Sequence, residues 1–300
     1  MNLKDLEYLV TLAEEGHFRR AAERCFVSQP TLSNQIRKLE QELGVVFLER
    51  TSRKVLFTQA GLELVAQARK VLSEAQRFRE MASCHGEQMS GPLHLGLIPT
   101  VGPYLLPHLI PGLRHDFPKL EFYLHEAQTH QIVSQLESGS IDCAILALVK
   151  ETESFIELPL FDEAMFLAVP CEHEWQSREQ VALQELAGHR LLMLEDGHCL
   201  RDQALGFCFA AGAKEDSHFR ATSLETLRNM VAAGAGITLL PQLAVPNDRC
   251  RDGVCYVPCC DPVPTRKIGL VYRPGSPLKA RYEQLADWVR EQMQRVVCHQ

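Results

Sequence analysis

The apolar and polar residues of the first part of the chain follow a helical pattern in three short segments. Residues 3–15 carry one apolar face, and a second apolar face runs from Phe18 to Cys25. Ser28 precedes a third apolar stripe as an N-cap residue, and Pro30 falls in the first turn, where its missing N–H costs no hydrogen bond. The pattern predicts three helices whose inward positions include Leu6, Leu9, Val10, Ala13, Ala21, Ala22, Leu32, Ile36, Leu39 and Leu43.

A basic hairpin and a long helix follow these segments. Residues 50–58, RTSRKVLFT, predict a short hairpin, that is, a wing beside the third helix. Thr58 is a suitable N-cap for a helix that continues to about residue 85. A solitary helix of this length cannot bury an apolar stripe, so the pattern predicts a partner helix in a dimer. The stripe consists of Leu64, Ala68, Val71, Leu72, Ala75, Phe78 and Ala82.

From Gly91 onwards short apolar strands alternate with helical stretches, which is typical of parallel α/β construction. A second set of this kind occupies about residues 163–266. The tail, KIGLVYR and an amphipathic helix from Ala280 to Val296, is expected to belong with the first set. Two α/β lobes connected by chain crossovers would leave a cleft between them.

Charge is distributed unevenly along the chain. The 300 residues exceed one ordinary core, so two or three domains are expected, and the formal net charge is -7. Residues 17–58, however, hold eight Lys and Arg against four Glu. This asymmetry indicates a DNA-binding head on an acidic body.

Several features argue for a cytoplasmic protein. There is no apolar run long enough to cross a membrane, and the N-terminus, MNLKDLEYLV, lacks the shape of a signal peptide. We therefore expect no membrane partner. Eleven cysteines, an odd number, are compatible with a reducing compartment, where most cysteines act as small buried hydrophobic residues.

The second and third helices with the hairpin form a winged helix-turn-helix pattern. The third helix of such a motif enters the major groove, where Gln29 can pair with adenine, Ser33 with either purine and Arg37 with guanine or phosphate. Arg53 in the wing suits phosphate or a narrow minor groove. A helical protein-interaction module with solvated charges is the alternative. The predicted DNA-binding residues are Ser28, Gln29, Pro30, Thr31, Ser33, Asn34, Arg37, Arg50 and Arg53.

Residues 18–61, 106–122, 136–146 and 231–241 closely resemble the LysR-type transcriptional regulators, and the resemblance extends over essentially the whole chain. It implies an α/β fold class: a winged helix-turn-helix, a dimerisation helix and a two-lobed effector domain like a periplasmic binding protein. It also implies a homodimer or homotetramer on a double-stranded DNA operator, and contact with RNA polymerase. Cys25 and the cysteine-rich 250–260 stretch depart from the common pattern.

The resemblance, together with the pattern, gives a domain division. The winged helix-turn-helix is placed at 1–58, the linker and dimerisation helix at 59–89 and the redox-sensing effector domain at 90–300. Within that domain, lobe I is expected at about 90–162 and 267–300, and lobe II at about 163–266.

Residues 197–209, GHCLRDQALGFCF, resemble the redox segment of the peroxide-sensing members of that family. Asp196 is a suitable N-cap, which would place Cys199 in the first turn of a helix, where the dipole and Arg201 favour a thiolate. Nine residues of helix separate Cys199 from Cys208 by roughly 13 Å, against about 5.5–6 Å between the Cα atoms of a disulfide. The two cannot bond while this helix persists.

The resemblance implies a switch built on that conflict. Hydrogen peroxide, as the signal, would oxidise Cys199 to a sulfenic acid, and Cys208 would then form a disulfide with it. A glutaredoxin- or thioredoxin-type reductant would reverse the step, and the oxidised regulator would activate antioxidant genes. Two unconnected buried cysteines are the alternative reading of the residues alone.

The resemblance also implies a peroxide site around the thiol. Thr100 and Thr129 each follow a predicted strand, where ligand crevices form in α/β sheets. Their hydroxyls would hold peroxide, although both could instead be N-caps. Arg266 would support the thiolate, and His198 and Asp202 would lie near the sulfur or serve dimer contacts. Arg201 completes this predicted set.

Other functions are less well supported by the residues. A regulator that responds to a small metabolite in the cleft would keep the DNA head but not need the cysteines. A thiol peroxidase would need no helix-turn-helix, so no enzyme activity is expected. No cofactor is expected either. The spacing of Cys250, Cys255, Cys259 and Cys260 differs from that of the usual zinc sites, so no metal is expected.

Overall fold

The computed structural model describes residues 1–49, 55–83, 88–210, 212 and 214–297. Contacts divide the chain into two units. One unit consists of Met1–Ser83 with Glu137–Ser140, and the other of Cys84–Leu136 with Ile141–Gln300.

The first unit is built from four helices and a small hairpin. In chain order they are α1 (Leu3–Glu15), α2 (Phe18–Arg24), α3 (Gln29–Leu43), β1 (Leu48–Glu49), β2 (Leu56–Phe57) and α4 (Gln59–Ser83). The strands β1 and β2 pair antiparallel, so the predicted hairpin is present and begins earlier than expected. Of the predicted inward positions, Leu43 is wrong, since it ends α3 and is 40% exposed.

The long helix α4 begins as predicted. The Thr58 hydroxyl accepts a hydrogen bond from the backbone N–H of Gly61 at 2.9 Å, which is an N-cap contact. Near its start, Val65 and Ala68 are buried against α1 and the rest of this core. Farther along, Phe78 is 74% exposed. Within the described part of one chain, the apolar stripe is thus buried only in its first half. An exposed apolar stripe of this kind is expected for a helix that packs against a second chain.

The second unit alternates strands and helices. The first part contains β3 (Gly91–Leu97), α5 (Gly102–Asp116), β4 (Leu120–Glu126), α6 (Thr129–Ser138), β5 (Cys143–Ala147) and β6 (Ile156–Pro170). The middle contains β7 (Val181–Ala182), β8 (Arg190–Leu194), α7 (Cys199–Ala210), β9 (Lys214–Ala221), α8 (Leu224–Ala232) and β10 (Thr238–Pro241). The last part contains β11 (Cys250–Arg251), β12 (Val254–Cys260), β13 (Thr265–Tyr272) and α9 (Lys279–Val297). Single turns of 3-10 helix lie at Lys150–Thr152, Leu183–Leu186 and Gln242–Ala244.

The sheet is parallel at its α/β centre and antiparallel where the chain crosses over. Strand β3 pairs parallel with β4 and β5, whereas β8 and β9 pair parallel in a separate two-stranded sheet. The strands run in the order β11-β12-β6-β13-β5-β3-β4, with β10 also on β6 and β7 also on β12. The long strands β6 and β13 pair antiparallel with each other, and they connect the two parts of the domain.

The second unit contains two apolar cores, and β6 contributes residues to both. One core contains residues of β3, β5 and α5 together with Tyr282, Leu285 and Val289 of α9, which confirms that the tail belongs with the first α/β set. The other contains residues of β8, α8, β10 and β12. Within the described ranges, no helix is both long and apolar enough to span a membrane.

Candidate thiol site and candidate nucleic-acid interface

The start of α3 presents polar side chains on its outer face. The Ser28 hydroxyl accepts a hydrogen bond from the Thr31 N–H at 3.3 Å and so caps the helix, with Pro30 in its first turn as predicted. The buried face consists of Leu32, Ile36 and Leu39. The predicted reading positions Gln29, Pro30, Thr31, Asn34 and Arg37 are exposed, and Ser33 is half-buried. Arg50 and Arg53 lie outside the described residues.

The basic residues of α2 and of α3 differ in their partners. The α2 arginines Arg19, Arg20 and Arg24 each form an ion pair with a glutamate: Arg19 with Glu23, Arg20 with Glu15, and Arg24 with Glu14 and Glu15. On α3, Arg37 and Lys38 are exposed and form no ion pair with any described residue. Helix α3, which is predicted to enter the groove, thus carries two exposed cations that are not engaged by a described carboxylate.

A single helix holds both cysteines of the predicted switch. Helix α7 runs Cys199–Ala210, so Cys199 is its first residue and Cys208 its tenth. At about 1.5 Å of rise per residue their Cα atoms lie roughly 13 Å apart along the axis, which excludes a bond in this arrangement. The side chain of Cys208 lies outside the described part of the structure.

The helix begins later than the sequence suggested. Asp196 does not cap it, because the Asp196 carboxylate pairs with Arg201 at 3.2 Å and with Arg220 at 2.9 Å. Gly197, which lies in the loop before the helix, has a φ of +96°, in the region of backbone conformation that favours glycine. The prediction of Asp196 as N-cap is therefore wrong, although Cys199 still lies at the positive end of the helix dipole.

Cys199 is buried and its sulfur is flanked by one hydroxyl and one cation. Burial raises the pKa of the Cys199 thiol above its ordinary value. The Thr129 hydroxyl and the Arg266 guanidinium lower this pKa, but by less than burial raises it. Burial thus opposes the thiolate that the sequence predicts, and the groups that favour its ionisation stand beside the sulfur.

Arg266 belongs to a buried ionic network. Its side chain is 0% exposed, and its Nε lies 2.8 Å from the Glu163 carboxylate, directly across the β6–β13 pair. Its Nη1 donates to the Thr100 hydroxyl at 3.0 Å, and its Nη2 donates to the Thr100 carbonyl at 2.9 Å. The other Glu163 oxygen accepts the backbone N–H of Leu243 at 2.9 Å. The cation near the sulfur is therefore held in place from several sides.

Glu163 was missed in the sequence, although a signal was present. Inward positions of β6 alternate along the strand, and Glu163, Met165 and Leu167 are buried in turn. A carboxylate on the inward face of an apolar strand must be paired, since an isolated buried charge is very costly. The pattern therefore predicts a cation that pairs with Glu163, although it does not identify the residue.

Neither threonine serves as a helix cap. Helix α5 has Val101 at its N-cap position and no side-chain cap, while the Thr100 hydroxyl is engaged by Arg266. Thr129 is the first residue of α6, and its hydroxyl is buried. This hydroxyl has no hydrogen-bond partner of regular geometry among the described residues, but it faces the Cys199 sulfur and lowers the pKa of that thiol. The capping alternative does not hold for either residue. The free hydroxyl of Thr129 remains available to a small polar molecule at the sulfur.

The other three predicted residues, Arg201, Asp202 and His198, lie around the start of α7, but not all of them face the Cys199 sulfur. Arg201 donates to both oxygens of Glu215 at 2.8 and 2.9 Å, so its charge is directed there and not at the thiol. The Asp202 side chain is 79% exposed, and its charge raises the Cys199 pKa. His198 is buried, and burial lowers its pKa despite the opposing effect of the Glu195 carboxylate.

A cleft of about 400 Å³ lies near α8. Its polar groups are already paired: the Tyr104 hydroxyl donates to Glu225 at 3.0 Å, and Arg228 forms an ion pair with the same carboxylate. Ser223 caps α8 by accepting the Thr226 N–H at 3.2 Å. A ligand in this cleft would have to replace the existing contacts.

Comparison with known proteins agrees with this architecture. Residues 3–62 match the family described as bacterial regulatory helix-turn-helix protein, lysR family, and residues 86–294 match the LysR substrate binding domain. The hydrogen peroxide-inducible genes activator of Dickeya chrysanthemi is 74% identical over 294 residues, covering 98% of this chain and 96% of that protein.

Solved structures show the same similarity over about two thirds of the chain. The crystal structure of the oxidised form of OxyR is 71% identical, with a TM-score of 0.66, and the match covers 69% of this chain and 98% of that one. The crystal structure of the reduced form of OxyR is 68% identical, with the same TM-score and the same coverage. The chain is thus similar to a protein that has been crystallised in two redox forms.

Proposed function

The chain belongs to the LysR family of DNA-binding transcription regulators, and we propose that it is a peroxide-responsive activator whose signal is read at Cys199. The proposal is supported by a relative named a hydrogen peroxide-inducible genes activator and by structural similarity to oxidised and reduced OxyR. The regulator works by binding DNA and not as an enzyme. It oligomerises, and we infer a homodimer that assembles into a homotetramer on an extended operator.

The observation that carries the proposal is the continuity of α7 through both cysteines. Since a disulfide needs Cα atoms about 5.5–6 Å apart, a Cys199–Cys208 bond requires this helix to unwind. A covalent step at the sulfur would thereby become a change of local fold. The two states would differ in the packing of Leu200, which is buried at the start of the helix.

The chemistry balances in two steps. The Cys199 sulfur attacks one peroxide oxygen, the O–O bond breaks, and the products are a sulfenic acid and one water molecule. The Cys208 thiol then attacks the sulfenic sulfur, and a second water molecule leaves as the S–S bond forms. Thr129 would hold the peroxide at the sulfur, and Arg266 would stabilise negative charge as the thiol ionises.

The remaining predicted residues have supporting positions. Thr100 and Glu163 hold Arg266, while His198, Arg201 and Asp202 line the start of α7. The DNA interface would consist of the exposed residues of α3 with Arg50 and Arg53 of the wing. The functional division stays at 1–58, 59–89 and 90–300.

Further partners are assigned by function. A glutaredoxin- or thioredoxin-type dithiol would restore the thiols, and RNA polymerase would be contacted on DNA by the oxidised regulator. We infer a cytoplasmic location, where such reductants and the DNA are found.

A peptide mass map tests the thiol chemistry. After about one equivalent of hydrogen peroxide, the purified protein should contain a Cys199–Cys208 disulfide that a glutaredoxin-type reductant removes. A Cys199→Ser variant should lose peroxide induction of a reporter gene, whereas Cys143→Ser should keep it. Retained induction in Cys199→Ser would instead point to a ligand in the cleft beside Tyr104 and Glu225.

A further inference from the structure

A second group of sulfur atoms lies in the second unit, away from α7 in sequence. Cys250 and Cys255 form a disulfide, and the sulfur of Cys171 lies 3.3 Å from that of Cys255. In the part of the chain that the structure describes, these three residues are the group whose ligand atoms all lie within 4.8 Å of one another. Cys259 and Cys260, which the sequence spacing had joined to Cys250 and Cys255, are not part of it.

The hairpin geometry explains why two of these sulfurs meet. Asp252 has φ 51° and Gly253 has φ 83°, as a two-residue type I′ turn requires. Arg251 is paired with Val254 next to the turn, and Cys250 is paired with Cys255 one step farther. Directly opposite residues in antiparallel strands bring their side chains together, so the turn itself positions the pair.

Cys171 is brought to the pair by a separate contact. It follows strand β6, and its backbone N–H donates to the carbonyl of Gly253 at 3.1 Å, in the turn of the same hairpin. This hydrogen bond fixes the third residue beside the disulfide. The proximity of the three sulfurs thus rests on strand pairing and on a backbone hydrogen bond, not on mobile side chains alone.

The three residues differ in exposure in a way that suits thiol–disulfide exchange. Cys255 is 0% exposed, Cys171 is half-buried and Cys250 is exposed. A dithiol reductant can therefore reach Cys250, while the Cys171 sulfur lies 3.3 Å from the buried sulfur of Cys255. Exchange needs an attacking sulfur next to one sulfur of the disulfide and a leaving sulfur that can depart. Cys171 is placed beside Cys255 for the attack, and the leaving sulfur, that of Cys250, is exposed.

We propose that Cys171, Cys250 and Cys255 form a second redox site, which acts independently of the Cys199 switch. Peroxide oxidises two of its thiols to one disulfide, with two water molecules formed from the two oxygen atoms. The Cys171 thiolate then attacks the Cys255 sulfur, the Cys171–Cys255 bond forms, and Cys250 leaves as a thiolate that takes up a proton. A dithiol reductant of the glutaredoxin class returns all three sulfurs to thiols.

The test uses full-length protein that carries Cys199→Ser, so that the first switch is silent. After peroxide treatment, differential alkylation and peptide mapping identify which sulfurs are linked. The expected product is Cys250–Cys255. When Cys250→Ser is added, a Cys171–Cys255 disulfide should replace it. When Cys171→Ser is added instead, Cys250–Cys255 should still form, and no other link should appear.

The controls keep the outcomes separate. Cys143, whose side chain is fully buried and whose thiol pKa burial raises, should stay a thiol throughout. Since Cys250 is exposed, its serine variant should fold. Three thiols that survive the peroxide treatment would overturn the proposal, and so would the absence of a Cys171–Cys255 link in the Cys250→Ser variant. A zinc or copper ion bound stoichiometrically to the reduced protein, and lost in Cys171→Ser, would also overturn it in favour of a metal site.

Discussion

The Thr129 hydroxyl lies at the Cys199 sulfur and has no structural role in capping a helix. It is buried, caps no helix and lowers the pKa of Cys199. Replacing Thr129 by Val keeps the shape of the side chain and removes the hydroxyl. We expect the oxidation of Cys199 by peroxide to slow about tenfold, since one hydrogen bond to a developing charge contributes about 1.4 kcal/mol.

Stopped-flow measurement of thiol loss with excess peroxide gives this rate directly. Thr265→Val, at an exposed position one residue from Arg266, is the matched control and should react like the parent protein. Equal rates for Thr129→Val and the parent would show that the hydroxyl takes no part.

His198 connects the thiol site to pH. Burial holds its pKa below the ordinary value, so the folded protein keeps it neutral at pH values where the unfolded chain binds a proton. The stability that comes from neutral His198 is therefore complete above about pH 6.5 and is lost as the pH falls through that value towards the folded pKa. His198→Gln should consequently show a smaller fall in Tm between about pH 7.5 and 5.0 than the parent.

Thermal unfolding at both pH values measures this difference. His108→Gln, at an exposed site on α5, serves as control and should leave the fall in Tm unchanged. If His198→Gln keeps the full pH slope of the parent, the assignment of a buried neutral histidine is wrong.

The site residues differ in whether they could be predicted from the sequence. The thiols Cys199 and Cys208, Arg266 and the two threonines could be named from the sequence, because a family resemblance marks their positions. Glu163 and Cys171 could not, because each acts through a partner more than eighty residues away in the chain. Such pairs are set by strand register, which no local pattern records.

At the scale of elements, helix α7 contains a glycine, which lowers its stability. Gly206 lies at an exposed position within it, and a Cβ there would meet nothing within 4 Å. Gly206→Ala should therefore stabilise the helix by about 1 kcal/mol. Because the disulfide requires α7 to unwind, the same change should make the Cys199–Cys208 bond easier to reduce, with a reduction potential about 20 mV higher.

Equilibration of the variant with glutathione buffers and mapping of the cysteines measures this potential. Urea unfolding of the reduced protein provides the check that α7 was in fact stabilised. A higher stability with an unchanged potential would mean that the disulfide forms without unwinding the helix.

Element boundaries show both the reach and the limit of sequence patterns. The N-caps Ser28 and Thr58 were predicted and are observed, because capping is a local interaction. Asp196 was predicted as a cap by the same rule, but ion pairs with Arg201 and with the more distant Arg220 engage its carboxylate. A local rule fails where tertiary partners compete for the same oxygen atoms.

At the scale of the whole molecule, the alternation of strands and helices was sufficient to predict α/β lobes and the return of the C-terminal tail to the first of them. The antiparallel pairing of β6 with β13, and the contribution of β6 to both cores, were not foreseen. Their pairing depends on contacts between residues about a hundred positions apart, for example Glu163 with Arg266.

The DNA-binding role also belongs to this scale. Arg37 is exposed on α3 and unpaired among the described residues, whereas Arg19 is paired with Glu23. We expect Arg37→Ala to weaken operator binding by about 1–3 kcal/mol, and Arg19→Ala to have little effect. Fluorescence anisotropy at several salt concentrations distinguishes the contacts, since loss of a phosphate contact lowers the salt slope by about one. Equal losses for both variants would contradict the placement of α3 in the groove.

The unwinding of α7 is the central claim, and amide hydrogen exchange over residues 199–210 tests it most directly. The reduced protein should show protected amides in this segment, and peroxide should remove the protection in the parent but not in a Cys208→Ser variant. Protection that persists in protein whose Cys199–Cys208 disulfide has been demonstrated would contradict the account, because the bond would then have formed with the helix intact.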